Sequence, residues 1–485
     1  MKVLLLNSPI YKEHTETDEE YLPSLGLCYI ATHLEKANVN VEIVDCVKER
    51  LGISDVFSLL IRYKPDCIGL NVFTQNLDIV REIAENCPIE SHLIIGGQVT
   101  KAIYEEILTW PINNRQTIIT GESELILPDI VNETCTEQPS FQSGTKRVYH
   151  VDSSSHYFPA DLSKVHMDRR FLKDEVLTNH YGEKEAAIIT SRGCTYDCAF
   201  CGAARSRNCD TTIRLRPNAD IKEEITNIIS LHPEVSSVRI LDDLFLRDEK
   251  SISAASDLFG EFAHLHWRGM AHTMAFKKAA KLLPFLRQSG CRELFIGVES
   301  GSDGVRKRIN KPGTSQQVAE VITAVLAAGI DVKAYLMYGF PNESKSEADE
   351  TFALAKVLAT ISDKTAGRFR TSVFQYRPYH GTKLYDELVK SRVKIGDIER
   401  NETLNVLKGR SQFNFASGNY SDMSVDEING LILKTQRLTE GINDRNYNGV
   451  RKVQPLQQSK AITGQRMQSK GSLARAFRQE NQVSR

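Results

Sequence analysis

Two separate series of short β-type runs, each followed by a helix-length amphipathic stretch, leave this chain few architectures. The first series fills residues 1–135. Its strands are expected at 3–6, 41–44, 67–72, 92–95 and 116–119, with helices at 25–36, 56–63, 77–86 and 103–108 between them. In the first helix Leu27, Ile30, Ala31 and Leu34 recur at the spacing of one helical face. The second series fills 185–390, with strands at 187–190, 237–241, 266–271, 293–298, 332–338 and 370–375. Helix-length segments at 219–230, 251–263, 279–289 and 315–328 fall between those strands. Five interleaved strands predict a flavodoxin-like doubly wound α/β domain. Six βα units predict either a full small barrel or an open part of one.

Between the two series, residues 136–184 dissolve into Ser, Asp, His and Lys, as in Val151-Asp152-Ser153-Ser154-Ser155-His156, and read as a linker crossing the surface. Residues 391–444 form a C-terminal extension with one amphipathic helix at 424–439. Residues 445–485 hold nine Lys or Arg against one Glu, with few apolar residues, and are expected to be a disordered basic tail. Over the whole chain 61 Lys and Arg balance 62 Asp and Glu, so no global field favours nucleic acid or an anionic membrane. No apolar run approaches the ~18–20 residues of a membrane span. The apolar start Val3-Leu4-Leu5-Leu6 is too short for a signal peptide and reads as a buried strand. A cytoplasmic location is the expectation.

Ten cysteines in 485 residues are too sparse for a disulfide scaffold. Six are scattered, but Cys194, Cys198, Cys201 and Cys209 fall within sixteen residues. The run Ser191-Arg192-Gly193-Cys194-Thr195-Tyr196-Asp197-Cys198-Ala199-Phe200-Cys201-Gly202 leaves the end of a strand, where α/β folds place chemistry. Spacings of three and two intervening residues turn three thiolates onto one face. A structural zinc site or a closed iron–sulfur cluster wants four ligands, and Cys209 offers a fourth. A [4Fe–4S] cube on three thiolates instead leaves one iron open to a small molecule.

That loop closely resembles the signature of the radical S-adenosylmethionine (SAM) enzymes. The resemblance extends over most of 186–390, through Ile240-Leu241-Asp242-Asp243-Leu244-Phe245, Gly297-Val298-Glu299-Ser300-Gly301-Ser302, Tyr338-Gly339-Phe340-Pro341-Asn342-Glu343 and Tyr376-Arg377-Pro378-Tyr379-His380-Gly381-Thr382. It implies a radical SAM partial (β/α)6 barrel, with Cys194, Cys198 and Cys201 as ligands to a [4Fe–4S] cluster. It places Phe200, Asp242, Glu299 and Ser300 against SAM. In the family one electron from the cluster cleaves SAM to a 5′-deoxyadenosyl radical.

The first domain carries Pro23-Ser24-Leu25-Gly26, Pro65-Asp66-Cys67-Ile68-Gly69, Ile95-Gly96-Gly97 and Thr120-Gly121-Glu122-Ser123-Glu124 in that order. Together these resemble the cobalamin (B12)-binding domain that precedes the barrel in a subfamily of methyltransferases and anaerobic porphyrin cyclases. The resemblance implies cobalamin contacts by Thr74, Gly96, Gly97, Gly121 and Glu122. No Asp-x-His-x-x-Gly is present, so a mutase-type histidine ligand to cobalt is not supported. The function implied is methyl transfer to an unactivated carbon or phosphorus centre of a small-molecule, natural-product or peptide substrate, with a reductase or flavodoxin-type electron donor. No residue is assigned to the chemical step itself. A non-methylating radical SAM reaction (cyclisation, epimerisation, rearrangement) and an iron–sulfur or zinc binding module are the alternatives.

Overall fold

The computed structural model describes residues 1–12, 22–172, 175–207, 213–391 and 418–446, with side chains to residue 439. The first sheet contains β1 (Lys2–Asn7), β2 (Asn40–Asp45), β3 (Cys67–Asn71), β4 (His92–Gly96), β5 (Gln116–Gly121), β6 (Phe141–Ser143) and β7 (Lys146–Val151), in the order β2-β1-β3-β4-β5-β7-β6. The first five strands follow the doubly wound order, and all pair in parallel except β6. Alternation along β1 shows how the layers form. Leu4 and Leu6 point to the core beneath helices Ile53–Tyr63, Leu77–Glu85 and Thr100–Thr109, while Val3 and Leu5 point to the core beneath Leu25–Lys36 and Leu127–Val131.

The hairpin of β6 and β7 corrects the reading of 136–184 as linker. β7 continues the parallel sheet beside β5, over Gln116↔Lys146 to Gly121↔Val151. β6 is exposed at every residue, as suits a sheet edge, and so gives no apolar alternation to read. Residues 152–172 fill the junction between the two halves. Val165 and Leu172 pack with Leu25, Cys28 and Tyr29 on one side and Ala187 on the other. Arg169 is buried there between Glu175 and Glu224 and donates to the Ala187 carbonyl at 3.0 Å.

The second sheet runs β16-β15-β14-β13-β12-β9-β8. Its strands are β8 (Leu177–Thr178), β9 (Lys184–Ile188), β12 (Val235–Ile240), β13 (His266–Ala271), β14 (Cys291–Glu299), β15 (Asp331–Tyr338) and β16 (Phe369–Gln375). A short ladder of β10 (Ser191–Arg192) and β11 (Arg214–Leu215) lies between. β9 and β12 to β16 are parallel, and β8 and β16 end the strand order, so the six βα units make an open partial barrel. Helices Asn218–Leu231, Glu249–Gly260, Leu283–Gln288, Ser315–Ala327 and Lys345–Ser362 lie along it, and one large apolar core unites sheet and helices. The C-terminal helix Val425–Asn446 buries Ile428, Leu431 and Ile432 in the same core, and its Thr435 hydroxyl is 2.7 Å from Tyr338 Oη. Cys209, residues 392–417 and the expected tail beyond Asn446 lie outside the described residues.

Candidate active site

The carboxyl ends of the two parallel sheets face each other, and two cavities open between and beneath them. One, of about 720 Å³, lies between the domains. It is lined by Gln98, Lys101, Tyr104, Gly121, Glu122, Glu124 and His150 from the first domain, and by Ser191, Arg192, Gly193, Cys194, Arg214 and Asp243 from the second. The other, of about 400 Å³, lies in the barrel mouth among Cys194, Tyr196, Cys198, Phe200, Cys201, Asp243, His272, Glu299, Lys311, Arg377 and Tyr379. Cys194 and Asp243 line both.

The cysteine loop is fixed on three sides. Gly193, at φ +98°, donates its N–H to Asp243 at 3.0 Å; Ala199 donates to the Ile309 carbonyl at 2.9 Å; and Leu384 donates to the Ala199 carbonyl at 3.0 Å. The Asn310 amide also donates to the Asp197 carbonyl at 2.7 Å. Burial pushes all three thiols up, Cys201 to about 12. As thiolates they need a cationic metal close by. Among the described residues no three His, Cys, Asp or Glu side chains converge as a single metal ion requires. The three thiols instead border one open cavity, which suits a bulkier cluster held at three corners.

Opposite the thiols, Lys311 donates to Glu299 at 3.0 Å, both side chains being less than a tenth exposed. Burial alone would lower the Lys311 amine, but Glu299 and the Cys198 thiol outweigh it and raise the amine above its ordinary range. Glu299 holds a left-handed φ of +61° at a register shift between β14 and β15, a conformation kept for a side chain that must point one way. Gly297 makes room for the pair: a Cβ there would stand 2.2 Å from the Glu299 carboxylate and 2.8 Å from Lys311 Nζ. Phe200 borders the same cavity, edge-on to Phe340 at 5.9 Å. An apolar wall, a carboxylate, an amine and an orphaned imidazole N–H on His272 fit SAM, whose ammonium, carboxylate and ribose need partners of both kinds.

Of the residues expected against SAM, Phe200 and Glu299 are at the cavity. Asp242 is turned away from it: it is buried and accepts from the Thr190 N–H and hydroxyl and the Ser191 hydroxyl, each at 2.6 Å. Its neighbour Asp243 faces both cavities. Ser300 is buried too, 3.0 Å from the Thr351 hydroxyl and accepting from the Ser302 N–H, so it shapes the turn behind Glu299.

Of the residues expected against cobalamin, Gly121 and Glu122 line the interdomain cavity. Glu122 is clasped by Arg192 and Arg214 from the other domain, and Arg192 also reaches Glu124 at 2.8 Å. Burial would raise the Glu122 carboxyl, but Arg214 and Arg192 hold it below its ordinary range. Gly97, at φ +119°, is required by the chain itself, since a Cβ would lie 2.4 Å from the Val72 carbonyl. Gly96 has no such constraint, and its nearest neighbour to a Cβ is 3.9 Å away. Thr74 meets the other domain rather than this cavity, its hydroxyl 3.2 Å from His380 Nδ1. Glu124 lines the cavity and is buried, its Oε2 without a partner among the described residues, an acceptor that suits the amide N–H groups fringing cobalamin. His150, on β7, was hidden in the supposed linker; it lines the cavity, 2.9 Å from the Thr120 hydroxyl and edge-on to Tyr104.

Residues 15–131 match the B12 binding domain and residues 188–355 the radical SAM superfamily. An uncharacterized methyltransferase of Pyrococcus horikoshii is 23% identical over 81% of this chain and 84% of its own length. Cytidylyl-2-hydroxyethylphosphonate methyltransferase of Streptomyces wedmorensis is 23% identical over 80% of this chain and 82% of its own. The solved structure of OxsB, a cobalamin-dependent SAM radical enzyme with aqua-cobalamin and SAM bound, shares the fold at a TM-score of 0.59 and 16% identity; the match covers 87% of this chain and 64% of that one. Among the described residues no helix is long and apolar enough to cross a membrane.

Proposed function

The chain carries a radical SAM domain behind a B12-binding domain, and we propose that it is a cobalamin-dependent methyltransferase acting on an unactivated carbon or phosphorus centre of a small-molecule or natural-product substrate. The observation carrying this reading is that both cavities open on the same thiol and carboxylate, Cys194 and Asp243. A methyl donor bound in one is then adjacent to a substrate bound in the other.

When bound, the cluster and SAM supply one-electron cleavage and cobalamin supplies a transferable methyl group. The chain's own residues provide the frame. Cys194, Cys198 and Cys201 hold the cluster at the barrel mouth. The Glu299–Lys311 pair offers SAM an acceptor and a donor on one rigid support, and Phe200 offers an apolar face. The Glu122 clasp ties the two domains together beside the interdomain cavity. A reductase or flavodoxin-type protein would supply electrons.

The test is anaerobic incubation of protein loaded with iron, sulfide and cobalamin with SAM and a low-potential reductant, counting S-adenosylhomocysteine against 5′-deoxyadenosine. Both nucleosides are expected, since remethylation of cobalamin and reductive cleavage each consume SAM. Deoxyadenosine alone, with no cobalamin retained, would overturn methyl transfer in favour of a cyclase, epimerase or rearrangement.

A further inference from the structure

His272 follows directly on β13 and is 5% exposed. It caps the short helix Thr273–Phe276, its Nδ1 accepting the Met274 N–H at 3.1 Å. That bond assigns the tautomer: with Nδ1 an acceptor, the neutral ring carries its proton on Nε2. Nε2 is buried and has no hydrogen-bond partner among the described residues, while the residue lines the barrel cavity. The ring is also held in plane, stacked on Tyr196 of the cysteine loop with centroids 3.9 Å apart. Burial, with Lys311 and Arg306 nearby, lowers the imidazole to about 3, so it stays neutral throughout the working range.

A buried N–H left without a partner is costly, and native proteins keep such groups where a ligand completes them. From the cap, the orphaned donor and the stacking on the loop of Cys194 and Cys198, we infer that His272 is a positioning residue whose Nε2–H donates to an oxygen of SAM. The direction of the bond matters. A fixed donor cannot serve as a base, and it cannot pair with the ammonium or sulfonium, so it selects the carboxylate or ribose oxygens. Lys311, whose charge acts on His272, places an amine in the same cavity. This rests on reading the barrel cavity as the SAM site.

The test measures SAM affinity of the cluster-loaded protein by equilibrium dialysis, without turnover, for wild type, His272→Phe and His272→Asn. Phenylalanine keeps an aromatic ring against Tyr196 but removes the donor; asparagine keeps both the capping acceptor and an N–H. His272→Phe is expected to weaken SAM binding about 10-fold, with iron and sulfide content unchanged, and His272→Asn to recover part of the loss. Should wild type bind SAM and His272→Phe match it within twofold, the assignment to His272 fails. Should the SAM-free reduced cluster of His272→Phe show an altered electron paramagnetic resonance signal, the donor serves a cluster sulfide instead and the inference is likewise overturned. Failure of wild type itself to bind SAM would sink the reading of the cavity. Where His272→Phe does not fold, the His272→Asn affinity still decides: loss of binding in His272→Asn beyond that of a cavity-lining apolar control, Met337→Leu, supports the inference, and equality with that control overturns it.

Discussion

Near the amino-terminal ends of the barrel strands, Arg268 donates to Glu185 at 2.7 Å and to Glu293 at 3.0 Å, Arg370 donates to Glu293 at 2.7 Å, and His180 of the β8–β9 hairpin approaches Arg268 at 3.1 Å. At the carboxyl ends the arrangement is reversed. His272 Nε2 and Glu343 Oε1 are buried with no hydrogen-bond partner among the described residues, and Glu299 holds a left-handed backbone. The lower network answers buried charge with buried charge and so serves to hold the sheet together. The upper groups leave buried polar atoms that the described residues do not pair. Polarity inside one barrel thus has two meanings, told apart by whether the chain supplies the partner.

Removing a proposed cluster ligand should separate the two ends most sharply. Cys198→Ala is expected to abolish the brown chromophore and reduce bound iron and sulfide to background, while changing unfolding free energy by about 1 kcal/mol or less. Loss of the fold along with the iron would mean the upper end is structural too. Glu293→Ala should do the opposite, costing about 3–5 kcal/mol in denaturant unfolding by stranding Arg370 and removing one of the two carboxylates that pair Arg268, with SAM affinity intact. Burial alone would raise the Glu293 carboxyl, but Arg370, His180 and Arg268 outweigh burial and hold it well below its ordinary 4.5. A folded value below the unfolded one gives stability that is complete above about pH 4.5 and lost as pH falls further. The variant's unfolding free energy should accordingly vary less than wild type's between pH 5 and 3.

How far the sequence foretold these ends follows from the range of the signals. The cysteine loop is contiguous, so spacing alone revealed it, and β13 falls at 266–271 as the apolar alternation predicts. Helix Leu25–Lys36 likewise announces itself through one apolar face. Asp242 and Asp243 were less legible: both lie past the end of β12, where the chain turns one inward and the other to the cavities, and a pair of adjacent identical residues does not say which. Lys311 and His272 reach the site only because β13, β14 and their loops converge in space. Neither belongs to a local motif. His150 was concealed by a polar edge hairpin with no apolar period to betray it.

The clasp between domains is the intermediate case, since protein supplies the partners but across a junction. Glu122→Gln should weaken docking by about 2 kcal/mol, as hydrogen bonds to charged groups are worth. Faster proteolysis within 152–172 and lower cobalamin retention are expected, with the iron content of the barrel unchanged. Unaltered proteolysis would show that the apolar junction around Leu25, Tyr29 and Leu172 suffices without the clasp.

Glu343 offers the finest distinction, because it is half paired. Its Oε2 accepts the Gly339 N–H at 2.6 Å and the Phe340 N–H at 3.1 Å, fixing the turn after β15, whereas Oε1 is buried and unpaired. Burial pushes its carboxyl up to about 7 despite those two N–H donors. A folded value above the unfolded one means the stabilising contribution is full below about pH 4.5 and declines as pH rises through 7. Glutamine preserves the accepting oxygen and carries no charge to bury. Glu343→Gln is therefore expected to raise the unfolding free energy by about 1 kcal/mol at pH 8, with the gain shrinking toward zero near pH 5. A loss of stability at pH 8 would mean that the ionised carboxylate is needed there, and that Glu343 belongs with the paired charges of the lower end rather than with the orphans of the upper.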